Sequence, residues 1–171
     1  MAGLKRKPVI GVIGSGSPST QGRDLARRVG FLLAQAGAFV LCGGLGGVME
    51  AACQGTSQAG GESIGFLPGP DRGQANPYLT IPLATDMGHA RNALIARAAW
   101  GLIAVEGELG TISEAALGLK MGKPVVGLSC SWNLPGLIIV ASPEEAVEKI
   151  LDLSLKMATY PHNDRAAEFR R

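Results

Sequence analysis

Short apolar runs, each closed by a glycine turn and separated by segments of helical period, constrain this chain more than any other feature. Val9-Ile-Gly-Val-Ile13 is almost wholly apolar, as a parallel strand covered on both faces requires. It ends in the polar turn Gly14-Ser-Gly-Ser-Pro-Ser-Thr20. Leu25, Val29, Leu32, Leu33 and Ala36 then recur at helical spacing, opposite Arg23, Asp24, Arg27, Arg28 and Gln35. Gly37 is a C-cap, and Ala38 to Cys42 is the next strand.

The alternation continues to the last quarter of the chain. After the loop Gly43-Gly-Leu-Gly-Gly47, Val48 to Ala59 reads as a helix closed by Gly60 and Gly61. Strands are expected at Ser63–Leu67, Leu79–Pro82, Gly101–Val105, Lys123–Leu128 and Leu137–Val140. Helices are expected from Met87 to about Ala99, capped by Asp86, and from Gly110 to Met121. Ser142 caps the final helix, with Pro143 at its first position and Glu145 completing a capping box. Such alternation specifies an α/β fold: a doubly wound, mostly parallel sheet with helices on both faces.

The 171 residues suit one domain, read as residues 1–157 with a polar C-terminal tail over 158–171. With 46% hydrophobic and 18% charged residues, the chain can bury a substantial core. A formal net charge of +2 gives no case for a nucleic-acid or membrane partner, and the scarcity of aromatic residues argues against stacked single strands. Cys42, Cys53 and Cys130 have no paired spacing, which points to reduced thiols in a cytoplasmic protein and to no metal site. Pro8 to Gly14 is too short for a signal core or a membrane span.

Four stretches carry the candidate chemistry. Gly14, Ser15, Gly16 and Ser17 open like a dinucleotide fingerprint, but Ser19 stands at the third glycine position and the second strand ends at Cys42 instead of an acid. Pro18 removes a donor. The turn is therefore a candidate for phosphate or sugar contacts through its hydroxyls and N–H groups, and an unpromising one for NAD. Gly43, Gly44, Gly46 and Gly47 expose successive N–H groups directly after a strand, with Glu50 one turn into the next helix. Gly107, Gly110, Thr111 and Glu114 form a second phosphate-loop candidate, although Thr111 and Glu114 also fit an ordinary capping box. Glu106 and Glu108 in that loop would repel a phosphate unless they point away, are protonated or meet a cation. Finally, Asp86-Met-Gly-His-Ala-Arg-Asn92 brings Arg91, a bidentate anion ligand, to the start of a helix.

Other signatures are missing. Gly118 to Pro124 has the wrong spacing for a Walker loop. His89 and His162 have no defined partner, and Trp100 and Trp132 read as packing or interface anchors.

Taken in order, Gly43-Gly-Leu-Gly-Gly-Val-Met-Glu50, Ala59-Gly-Gly61, Arg91-Asn92 and Gly107-x-x-Gly110-Thr-x-x-Glu114 resemble the Rossmann-like nucleotide-binding superfamily. That group includes molybdenum cofactor carrier proteins and the LOG-type phosphoribohydrolases once labelled lysine decarboxylases. The resemblance spans Val9 to Val147 and is nearest the carrier-like branch. It implies a bound nucleotide or molybdopterin-type cofactor, held by the loops above together with Arg91 and Asn92. For the phosphoribohydrolases it implies Arg91 and Glu114 as the catalytic pair, acting on the N-glycosidic bond of a nucleoside 5′-monophosphate to release free base. This chain departs from the enzymes' pattern: Glu106 replaces a proline, Glu108 a glycine and Asn92 a lysine. The resemblance also implies a homodimer or homotetramer, for which Trp100 and the helix from Met87 are the candidate contacts. A third expectation is a structural or regulatory oligomer with a vestigial pocket, marked by Glu106 and Glu108 sitting in the anion position.

Overall fold

The computed structural model describes residues 6–159. Seven strands form one sheet in the order β4-β3-β2-β1-β5-β6-β7, and every neighbouring pair is parallel. They are β1 (Val9–Gly14), β2 (Phe39–Cys42), β3 (Ser63–Leu67), β4 (Ile81–Ala84), β5 (Gly101–Val105), β6 (Val125–Leu128) and β7 (Ile138–Val140). Five helices connect or follow them: α1 (Thr20–Gln35), α2 (Val48–Gln58), α3 (Asn92–Ala98), α4 (Leu109–Lys120) and α5 (Pro143–Thr159).

The period of two within each strand sorts side chains between two cores. Ile10, Val12, Ile103, Val105, Val126 and Leu128 pack under α1, α2 and α5. Their neighbours Ile13, Leu102, Ala104 and Val125 pack under α3 and α4 with Ile95, Ala96 and Ala115. This is why β1 and β5 carry almost no polar residue: both of their faces are covered.

α1 and α2 meet backbone to backbone. A Cβ on Gly55 would lie 1.8 Å from the carbonyl oxygen of Arg27, and one on Gly30 would lie 2.0 Å from that of Ala52. Thr56 seals the contact by donating its hydroxyl to Ala52 O at 2.8 Å and Gly30 O at 3.3 Å. At the end of α1, Gly37 N donates to Ala34 O and Ala38 N to Leu33 O, the paired bonds of a Schellman stop. Gly37 takes the left-handed conformation this requires, with φ at 76°.

Three local expectations are corrected. Asp86 does not cap a helix: it has φ of 53°, a 3₁₀ turn follows at Gly88–Arg91, and α3 begins only at Asn92. α4 begins at Leu109, so Thr111 is its third residue and cannot be its N-cap. β4 lies at Ile81–Ala84, two residues beyond its expected start. The Ser142 cap is present, with Glu145 N donating to Ser142 Oγ at 3.2 Å, but the Glu145 carboxylate reaches back to Ala141 N at 3.1 Å. α5 runs through Thr159, and the rest of the expected tail lies outside the described residues. Trp100 is half-buried against the core, whereas Met87 is exposed. Among the described residues no helix is long and apolar enough to cross a membrane.

Candidate functional site

The sheet order reverses between β1 and β5, and Gly14 pairs with Val105 at the end of that seam. Connections leaving two adjacent parallel strands for opposite faces open a crevice at the strand carboxyl ends. Here the crevice has a volume of about 560 Å³. Gly14, Ser15, Gly16 and Ser17 form one wall, joined by Gly43 and Met49 from the neighbouring loop and helix. The opposite wall is Glu108, Gly110, Thr111 and Glu114, and the end is closed by His89, Arg91 and Asn92.

Five residues from the sequence-derived set lie outside this lining: Gly44, Gly46, Gly47, Glu50 and Gly107. Three of them shape the loops instead. A Cβ on Gly47 would lie 2.4 Å from Ser15 O, and Val48 N donates to that same oxygen at 2.9 Å, so the β1–α1 and β2–α2 loops are stapled together. Gly44 packs under Leu67, and its carbonyl accepts from Asn76 N at 2.9 Å. A Cβ on Gly107 would lie 2.2 Å from Thr111 Oγ1, so this glycine lets the loop fold onto α4.

The most constrained group in the crevice is Arg91. It is 8% exposed, and its guanidinium lies in the space that a Gly43 side chain would fill. Nη1 donates to Asn92 Oδ1 at 2.6 Å and stands 3.4 Å from Glu114 Oε1. Nε is buried with no hydrogen-bond partner among the described residues. Desolvation lowers the Arg91 pKa from its ordinary value, partly offset by Glu114. Burial pushes the Glu114 carboxyl up to about 7 against the opposing pull of Arg91. A long ion pair beside an unpartnered N–H leaves a buried cation incompletely satisfied, an arrangement a bound anion would complete. Thr111 and Glu114, which also fitted a capping box at the helix start, are thus both buried residues within α4, with Glu114 directed at Arg91.

Glu106 and Glu108 take different roles. Glu106, with φ of 51°, turns away to α1, where Ser19 N donates to Oε2 at 3.0 Å and the Ser19 hydroxyl donates to Oε1. Glu108 is the N-cap residue of α4 and provides no side-chain cap. Only one of the two therefore fills an anion position, and it is that of α1. The start of α4, beside Arg91, has no side-chain cap.

Sequence reasoning passed over Met49, read Trp132 only as a packing or interface anchor, and did not place Cys42 beside Cys53. Trp132 Nε1 donates to Gly107 O at 2.9 Å and braces the β5–α4 loop. Cys42 and Cys53 stand 3.6 Å apart, Sγ to Sγ, in the core behind the crevice. Met49 directly follows the first residue of α2, so a register for that helix is enough to point it at the crevice. The Trp132 contact spans 25 positions, and no local pattern encodes it.

Sheet order, crevice and helix starts together define a Rossmann-like α/β protein with a ligand-sized crevice at the switch point. The chain matches the SLOG cluster4 family over residues 7–158 and belongs to it. An uncharacterized protein of Archaeoglobus fulgidus is 43% identical over 147 residues, covering 86% of this chain and 97% of that protein. The molybdenum cofactor binding protein of the phototrophic bacterium Rippkaea orientalis has a similar structure, with a TM-score of 0.81 and 36% identity over 86% of this chain and 97% of its own. The Moco Carrier Protein of Chlamydomonas reinhardtii gives 0.80 and 35%, covering 88% and 99%. The fold is thus carrier-like across nearly its full extent.

Proposed function

We propose that this chain binds and carries a phosphate-bearing small molecule of the molybdenum-cofactor type in the crevice between β1 and β5. The observation that carries this reading is the buried, incompletely paired Arg91 beside the uncapped start of α4. A phosphate there would meet the guanidinium and the first N–H groups of a twelve-residue helix, while the neutral form of Glu114 would add no repulsion. Arg91, Asn92, Gly110 and Thr111 are assigned to the phosphate. Gly14 to Ser17 and Gly43 are assigned to the remainder of the ligand. Similarity over nearly the whole chain to proteins named for binding or carrying this cofactor supports the ligand class. The reading includes a homo-oligomer, to be checked by light scattering.

The test is to incubate purified protein with molybdopterin-type cofactor and follow pterin fluorescence through size-exclusion chromatography. Co-elution that is lost in Arg91→Ala is expected. Absence of co-elution, together with no thermal shift across a panel of nucleotides and cofactors, overturns the reading.

One observation favours a second reading, nucleoside 5′-monophosphate phosphoribohydrolase. Glu114, with a pKa of about 7 and 3.4 Å from Arg91, is suited to proton transfer near neutrality. It would assist water at C1′ while Arg91 stabilises developing negative charge. Release of free base from AMP, abolished in Glu114→Gln, would establish it; binding without release excludes it. The vestigial-pocket oligomer requires both loop carboxylates in the anion position, and the bonding of Glu106 to α1 does not supply that arrangement.

A further inference from the structure

We propose that Glu106 is a built-in anion that closes the α1 side of the crevice, so that the site accepts ligands with a single phosphate monoester and rejects those presenting a pyrophosphate. In sheets of this topology the helix after the first strand offers its N-terminus to a pyrophosphate. In this chain that place is already filled by a carboxylate from another loop.

Three features hold it there. Ser19, the N-cap of α1, donates to Glu106 through both its N–H and its hydroxyl, while accepting from Gly22 N at 2.9 Å. Gly22 leaves the room: a Cβ there would stand 2.4 Å from the Glu106 carboxyl carbon and 2.5 Å from either oxygen. The Glu106 backbone is fixed in its left-handed conformation by donation to Leu128 O at 3.2 Å, and the next carbonyl accepts from Trp132. A left-handed glutamate, a side-chain-free position opposite it and a doubly donating cap all place one charge over one helix end. A second anion at that end would meet it at close range, so a ligand's phosphate is left the α4 side, with Gly110, Thr111 and Arg91.

The choice of monoester rests on the proposed phosphate site, whereas closure of α1 does not. Both are tested by comparing the unaltered chain with Glu106→Ala in calorimetric and thermal titrations against AMP, inorganic pyrophosphate, ADP and sodium formate. Expected are about a tenfold gain in pyrophosphate and ADP affinity in the variant, less than about a threefold change for AMP, and a rise in the variant's melting temperature with formate, which replaces the lost carboxylate. Unchanged pyrophosphate affinity in the folded variant overturns the proposal, as does an equal loss of AMP binding. Formate rescue of the variant without binding of any phosphate compound to either protein supports closure, and overturns the monoester assignment and the functional reading beneath it. Glu106→Gln serves if the alanine variant does not fold. It keeps the shape and removes the charge, and a pyrophosphate gain of at least about threefold is expected; no gain overturns the proposal.

Discussion

The side chain that Gly43 lacks and the guanidinium of Arg91 occupy one volume: a Cβ on Gly43 would stand 2.3 Å from Nη2 and 2.7 Å from Cζ of Arg91. Gly43→Ala therefore displaces Arg91 without altering its charge. Phosphate-ligand affinity should fall about tenfold, approaching the effect of Arg91→Lys, which keeps the charge but loses the planar fork. Isothermal titration of both variants checks this, and unchanged affinity in Gly43→Ala would mean that the guanidinium position is unimportant.

Glu114 gives the crevice a pH dependence of definite sign. Its carboxyl is raised from 4.5 to about 7 by burial, so the folded chain holds this proton more tightly than the unfolded one. The associated stability is complete below about 4.5 and is lost as pH rises through about 7. The total corresponds to roughly 3 kcal/mol. Denaturant unfolding between these limits should show that slope, and Glu114→Gln should flatten it. Phosphate affinity should also weaken above neutrality as Glu114 ionises, and the glutamine variant should lose that part of the trend.

The α1–α2 contact tolerates no added atom. With 1.8 Å between a Gly55 Cβ and Arg27 O, Gly55→Ala forces the two helices apart. A loss of about 3 kcal/mol or more is expected from overpacking, which is roughly 10 °C in melting temperature for a domain of this size. Gly110→Ala, where a Cβ meets nothing within 4 Å, is the matched control and should leave the melting temperature nearly unchanged.

Legibility followed how local the determining forces are. β5 begins and ends where the apolar run and its glycine turns place it, because burial on both faces leaves no polar residue to blur the edges, and β3 keeps its expected bounds between Gly61 and Pro68 although Ile64 and Phe66 are only half-buried. The Asp86 cap failed because Asp86 adopts a left-handed turn, leaving Gly88–Arg91 as a tighter turn of its own. Thr111 and Glu114 match the spacing of a capping box, yet the helix starts two residues before Thr111 and tertiary burial turns Glu114 towards Arg91. In the site, the difficulty posed by Glu106 was visible as misplaced charge. Its resolution by Ser19 was not, since 87 positions separate the two residues.

Trp132 supplies a test of how the β5–α4 loop is held. Trp132→Phe removes the donor to Gly107 O while keeping an aromatic ring. Stability should drop by about 1 kcal/mol. Hydrogen exchange should quicken at Gly107 to Gly110 and remain unchanged in β1. Equal acceleration in both would show that the indole supports the whole fold and has no particular role at this loop.

The staple between Val48 N and Ser15 O makes the two sides of the crevice unlike in kind. One rim is tied by main-chain atoms, so side-chain changes at Ser15, and at Val48 other than to proline, leave the tie intact as long as Gly47 stays free of a Cβ that would meet the accepting oxygen. The facing rim hangs from an indole and a carboxylate, which single codon changes can remove. A lineage built on this scaffold can therefore revise its ligand by rewriting one rim while inheriting the other unaltered.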